Sequence, residues 1–178
     1  PRHLSGGLVR SCFMKKIDVN FLEPSQEQLN SLLECYQAGR YEDAEKLSLS
    51  ITEDFPKHQF AWKVLAAALK QMGKISESLV ASQKSVELGP LDVEAHNNLG
   101  IALQELGKSN EAETSYRKAI TIKPDYAEAH SNLGIILKEL GRLDESEVSF
   151  RQSIVLKSDS AKAHNNLGTT LKELGRLD

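Results

Sequence analysis

The sequence is short of the residues that staple or clip small domains together. Two cysteines, Cys12 and Cys35, occur in 178 residues. They can build neither a disulfide framework nor a cysteine-rich zinc site. Neither charge is in excess: 22 Lys and Arg stand against 25 Asp and Glu, a formal net charge of -3. A dedicated nucleic-acid binder needs a basic surface to neutralise phosphate, so that class of partner is not expected. No apolar run reaches the roughly 18 residues of a membrane-spanning helix, so a membrane is not expected either. G-x-S-x-G, H-E-x-x-H and a phosphate-cradling glycine loop are all missing. No catalytic constellation emerges and no cofactor is expected. What is present, 40% hydrophobic and 26% charged residues, is the balance of a globular chain.

The informative presence is a period. Gly39, Gly73, Gly107, Gly141 and Gly175 follow one another at steps of 34 residues. Pro56, Pro90 and Pro124 keep the same step, as do Leu65, Leu99, Leu133 and Leu167. His96, His130 and His164 form another such series, and Gly100, Gly134 and Gly168 another. Self-similarity at this spacing is the mark of a repeat architecture. The units read as 25–58, 59–92, 93–126, 127–160 and a truncated 161–178.

Within 93–126, Leu99, Ala102, Leu103 and Leu106 lie at helical spacing and make one apolar stripe. Gly107 follows it, where a helix can end on a left-handed residue. Ala112, Tyr116, Ala119 and Ile120 make a second stripe, stopped by Pro124. Asn110, and Ser76 and Asp144 in the same phase, suit an N-cap. Ser25 with Gln28 forms a capping-box pattern at the start of the array. Gly100 and Gly134 fall inside helices, where glycine costs about 1 kcal/mol relative to alanine. A cost repeated at one phase implies a close helix approach there. Ser146, Ser153 and Ser158 depart from the pattern and predict looser packing of that unit's second helix. One hairpin cannot bury both faces, so neighbours must stack.

These residues resemble the tetratricopeptide repeat. That family favours a large residue fourth, Leu seventh and small residues at eight, twenty and twenty-seven. It places an aromatic at twenty-four and Pro at thirty-two. His96, Leu99, Gly100, Ala112, Tyr116, Ala119 and Pro124 fit in turn, whereas Ser82 stands where an aromatic is usual. The resemblance implies an all-α, right-handed superhelical solenoid of antiparallel helix hairpins, four full repeats plus a half repeat. The strings AHNNLG, AHSNLG and KELGRLDE are, more narrowly, similar to repeats of O-linked N-acetylglucosamine transferases and related bacterial proteins. There an asparagine sixth in each repeat forms a ladder that holds extended substrate. Asn98, Asn132 and Asn166 take that place here, while Val64 breaks the series.

In this family the first helix of each pair lines the concave groove. The resemblance therefore places Lys63, Asn97, Asn98, Glu128, Asn132, Lys162 and Asn166 in a peptide-binding groove, with Phe60, Val64, Ala67, Lys70, Gln71, Glu94, Ile101, Gln104, Glu105, Ser131, Ile135, Lys138, Glu139, Asn165, Thr169, Lys172 and Glu173 around them. An asparagine carries both donor and acceptor, so it can pair with peptide backbone without reading side chains. The competing reading is that these asparagines join neighbouring helices and set the superhelix pitch. A carboxylate clamp of the chaperone-partner type fits poorly. Lys63 and Asn98 match it, but Ala67 and Asn132 do not, and Glu128 puts a negative charge where a cation is needed.

The three phased histidines do not predict a metal site. Helix axes pack about 8–10 Å apart, while zinc needs nitrogens about 2.1 Å from one centre. They read as packing residues. Cys35 reads as a buried small hydrophobe, and cysteine usage is compatible with a reducing cytoplasm. Residues 1–24 read as a largely disordered leader. Residues 1–13 lie upstream of Met14-Lys15-Lys16, which resembles a translational start. The chain is expected to be a fragment whose uncapped last helix frays or self-associates. The leading functional expectation is a non-catalytic protein–protein interaction module. The alternative is the substrate-binding arm of a larger glycosyltransferase.

Overall fold

The computed structural model describes residues 23–176. The leader expected over 1–24 lies almost wholly outside the described residues, as do Cys12 and Asp178. Nine helices are described: α1 (Gln26–Gln37), α2 (Tyr41–Asp54), α3 (Gln59–Gln71), α4 (Ile75–Leu88), α5 (Val93–Glu105), α6 (Ser109–Ile122), α7 (Ala127–Glu139), α8 (Leu143–Leu156) and α9 (Ala161–Glu173). Among the described residues there is no strand. Each helix packs on the next, so the pairs form antiparallel hairpins stacked in sequence order. The odd-numbered helices also touch one another across repeats, whereas the even-numbered ones stand further apart. The odd layer is therefore the inside of the curve.

Why the hairpins turn where they do follows from the phased glycines. Gly39, Gly73, Gly107, Gly141 and Gly175 all adopt φ between 67° and 75°, a region that costs a side-chain-bearing residue. At the first of them, Gly39 N–H donates to Tyr36 O and Arg40 N–H to Cys35 O. That pair of bonds is a Schellman motif, and the other four turns repeat it. The Ser25 capping box forms in full, with Gln28 N–H donating to Ser25 Oγ at 3.1 Å and Ser25 N–H to Gln28 Oε1 at 2.9 Å.

The expected N-caps of the even helices are corrected. Helix α6 starts at Ser109 with Lys108 as its N-cap, and Asn110 lies inside the first turn. Arg40, Lys74 and Arg142 hold the same place in α2, α4 and α8, none with a side-chain capping bond. The long cation at that position reaches backwards instead. Lys74 Nζ lies 2.8 Å from Glu45, Arg142 Nη1 2.8 Å from Glu113, and Arg176 Nη1 2.7 Å from Glu147. Each carboxylate belongs to the preceding repeat. Two positions differ: the carboxylate phase before Lys108 holds Leu79, and Arg40 in the first repeat pairs with Asp43 of α2 instead.

The core follows the small-residue phase. A Cβ on Gly100 would lie 2.5 Å from the Tyr116 ring, and one on Gly134 would lie 2.7 Å from the Phe150 ring. Both rings are fully buried. The first two repeats solve the same contact differently, with Leu32 and Ala66 at the glycine phase and the small Ser48 and Ser82 at the ring phase, all buried. The looser packing expected around Ser146 and Ser153 is not seen. Helices α7 and α8 pack as closely as α5 and α6. The hydroxyls are satisfied locally, Ser146 donating to Gly134 O at 2.7 Å and Ser153 to Ala127 O at 2.9 Å. A buried polar group with a partner costs little.

Candidate peptide-binding groove

The inner surface encloses an open cavity of about 740 Å³, within the usual range of about 300–1,000 Å³ for ligand sites. Its floor is Ile101 from α5 and Ser131, Asn132 and Ile135 from α7. One rim carries the C-terminal ends of α3, α5 and α7, with Lys70, Gln104, Glu105 and Glu139. The opposite rim carries Glu128, Lys157, Ser160 and Lys162, near the N-termini of α7 and α9. Ala127 and Ser153 complete the lining.

Of the seven candidate residues, Glu128, Asn132 and Lys162 meet in this cavity. The other four are placed elsewhere or differently engaged. Lys63 Nζ lies 2.9 Å from both Asp92 Oδ2 and Glu94 Oε2. Burial works against its charge, and those two carboxylates more than offset it, so its pKa rises. Asp92 in turn caps α5, accepting from Ala95 N–H at 2.9 Å. Lys63 thus fastens one repeat to the next. Asn97 is buried, donating to Glu128 Oε1 at 3.0 Å and accepting from Asn132 Nδ2 at 3.0 Å. This chain of amides is a cross-repeat link within the wall of the groove. Asn98 and Asn166 are half-buried and do not line the cavity.

Lys157, Ser153 and Ser160 entered the site without a sequence signal. They come from α8 and the connection after it, not from a first helix. Ser131 is the notable floor residue. It is 6% exposed, and its Oγ has no hydrogen-bond partner among the described residues. Unpartnered buried hydroxyls are uncommon in native structures.

Two phenols lie near groove carboxylates. Burial pushes the Tyr116 phenol above its ordinary value, and Glu139, Glu105 and Glu128 push it further. Burial raises Tyr126 likewise, with Glu128 and Glu94 adding to it. Tyr116 O–H donates to Gln104 Oε1 at 2.9 Å, and Gln104 Nε2 donates to Glu139 at 2.9 Å.

The phased rings hold the loops. His96, His130 and His164 place Nε2 2.9 Å from the carbonyls of Pro90, Pro124 and Ser158. Trp62 Nε1 donates to Pro56 O at 2.9 Å in the same phase. A carbonyl only accepts, so each of those histidines carries its proton on Nε2. Among the described residues, no group of three or more His, Cys, Asp or Glu side chains is placed to hold a metal. No helix among them is long and apolar enough to cross a membrane.

Comparisons with known proteins agree with this geometry. The family description "Tetratricopeptide repeat" matches residues 81–114 and 127–160, and "TPR repeat" matches 104–141. None of the curated proteins matches the chain. Among solved structures, MamA from Desulfovibrio magneticus RS-1 superposes with a TM-score of 0.76 at 17% identity, covering 84% of this chain and 85% of that one. A thermophilic TPR protein of Thermus thermophilus gives 0.69 at 23% identity, covering 85% and 83%. The first TPR of Spaghetti (RPAP3), bound to the HSP90 peptide SRMEEVD, gives 0.64 at 21% identity, covering 66% and 93%. At these identities the likeness establishes the fold. Residues 81–160 are tetratricopeptide repeats, and the described chain folds as a tetratricopeptide-repeat solenoid.

Proposed function

We propose that this chain is a non-catalytic protein-interaction module that takes an extended peptide in its concave groove. The observation that carries the reading is the cavity floor. Ile101 and Ile135 offer apolar contact, and beside them Ser131 keeps a buried hydroxyl without a partner among the described residues. An extended peptide supplies both apolar side chains and backbone hydrogen-bonding groups. The solved neighbour bound to the HSP90 peptide SRMEEVD shows that the fold can present a peptide site. The narrower reading, a substrate-binding arm of a glycosyltransferase, rests on the Asn98, Asn132 and Asn166 phase. Asn132 donates its amide to Asn97, so the cross-repeat role weighs against a ligand ladder at that position.

The test is selection from a random dodecapeptide display library, followed by affinity measurement on the enriched peptides. Ile135→Arg fills the floor and should weaken binding at least tenfold. Val148→Arg, at an exposed convex position, should leave it unchanged. Equal loss from both substitutions, with helical content intact by circular dichroism, would move the site off the concave face.

A further inference from the structure

We propose that the groove selects a peptide of mixed charge, with a basic side chain seated at the Glu105–Glu139 rim and an acidic one at the Lys157–Lys162 rim. This deepens the peptide-groove reading and rests on it.

The two rims differ in charge. The first carries Glu105 and Glu139 against Lys70; the second carries Lys157 and Lys162 against Glu128. Among the described residues, no cation lies within ion-pair distance of Glu105 or Glu139. Among those residues, no carboxylate lies within that distance of Lys157 or Lys162 either. Glu139 accepts one neutral hydrogen bond, from Gln104. Glu105 and Glu139 are also the last residues of α5 and α7. Helix C-termini carry the negative end of the backbone dipole, so a carboxylate there adds to a field already favourable for cations. Glu128 is different. Asn97 donates to it at 3.0 Å and Tyr126 O–H at 3.4 Å, so its charge is engaged within the fold. The lysines therefore set the sign of their rim.

Burial does most to raise the Tyr116 phenol, and the nearby Glu139 and Glu105 carboxylates, with Glu128, raise it further. Between the rims, the unpartnered Ser131 hydroxyl and the Ile101–Ile135 floor give the middle of the ligand a polar and an apolar contact. The distance fixes the spacing. Glu128 and Glu139 are eleven residues apart on α7, which is about 16 Å of helix rise. An extended chain covers that in about five residues. A ligand crossing from rim to rim thus carries Lys or Arg about five residues from Asp or Glu.

The experiment is the same dodecapeptide selection, scored for charge at each register and repeated on two variants at low ionic strength. On the unmodified chain, enriched peptides should pair a basic and an acidic residue about five apart. Glu105→Gln with Glu139→Gln should erase the basic preference, keep the acidic one and weaken the best peptide about fivefold or more. Glu105→Lys with Glu139→Lys should invert it towards acidic residues at that register. Glu77→Gln, on the outer helix α4, is the control. Enriched peptides that are wholly acidic or indifferent to charge would overturn this inference while leaving the groove. No enrichment at all would overturn the groove itself.

Discussion

At the residue scale, the fold turns on which side of a helix contact carries the bulk. Gly100 faces Tyr116 and Gly134 faces Phe150, with no room for even one methyl. Gly168 holds the same phase in α9 but has no neighbour within 4 Å of where a Cβ would stand. One substitution should therefore change sign with position. Gly100→Ala gains about 1 kcal/mol of helix propensity but overpacks the ring, which typically costs about 1–3 kcal/mol, so the urea midpoint should fall. Gly168→Ala keeps the propensity gain without the clash and should raise the helicity of α9. Tyr116→Ser, which copies the Ala66–Ser82 solution, should make Gly100→Ala tolerable again. Equal effects at Gly100 and Gly168 would show that the close contact is not what fixes the glycine.

The phased glycines and leucines made both helices of every unit legible from sequence, because left-handed turns and 3.6-residue stripes are local demands. The cap positions were not. Asn110 has the right chemistry for a cap, yet Lys108 takes the place. Its counterparts Lys74 and Arg142 serve a contact with the preceding repeat that no single unit reveals. The asparagine pair was ambiguous for a related reason. Asn97 and Asn98 are adjacent in sequence but about 100° apart around the helix. Only the packed neighbour decides that Asn97 is the one tied to Asn132 and Glu128. Lys157 and Ser160 had no signal, since a connection gains meaning only from the groove it borders.

At the element scale, repeats are fastened by ion pairs at one phase. Glu113 shows the arrangement best: its side chain is 14% exposed and meets both Arg117 and Arg142. Burial acts to raise its pKa, but the two guanidinium groups outweigh it and hold the carboxyl below its ordinary value of 4.5. Arg142 and Arg117 hold Glu145 low in the same way, and Arg151 and Arg176 do so for Glu147. A carboxyl depressed in the folded state stabilises above its unfolded pKa and stops doing so as pH falls through the folded one. Thermal stability should be level from about pH 7 to 5 and fall below about pH 4.5. Glu113→Gln should lower the plateau and shallow that acid decline. An acid decline of unchanged steepness would mean that other groups cause it.

For the whole molecule, the stacking of odd helices on one another makes the inner surface a single wall that spans several repeats. The upper pH limit belongs to this scale. Tyr116 is buried and Tyr126 half-buried beside groove carboxylates, and both phenols are raised above 10.0. Each favours the fold while protonated, so stability should decline as pH climbs above about 10, where the unfolded chain loses those protons. The wall also continues into α9, whose Leu167, Leu171 and Leu174 remain half-exposed. Amide hydrogen exchange of the chain, alone and saturated with its best library-selected peptide, tests the groove most directly. Protection gained along α5, α7 and the start of α9, with α4 and α6 unaltered, is the result required. Protection gained instead on the outer faces of α6 and α8 would contradict the account.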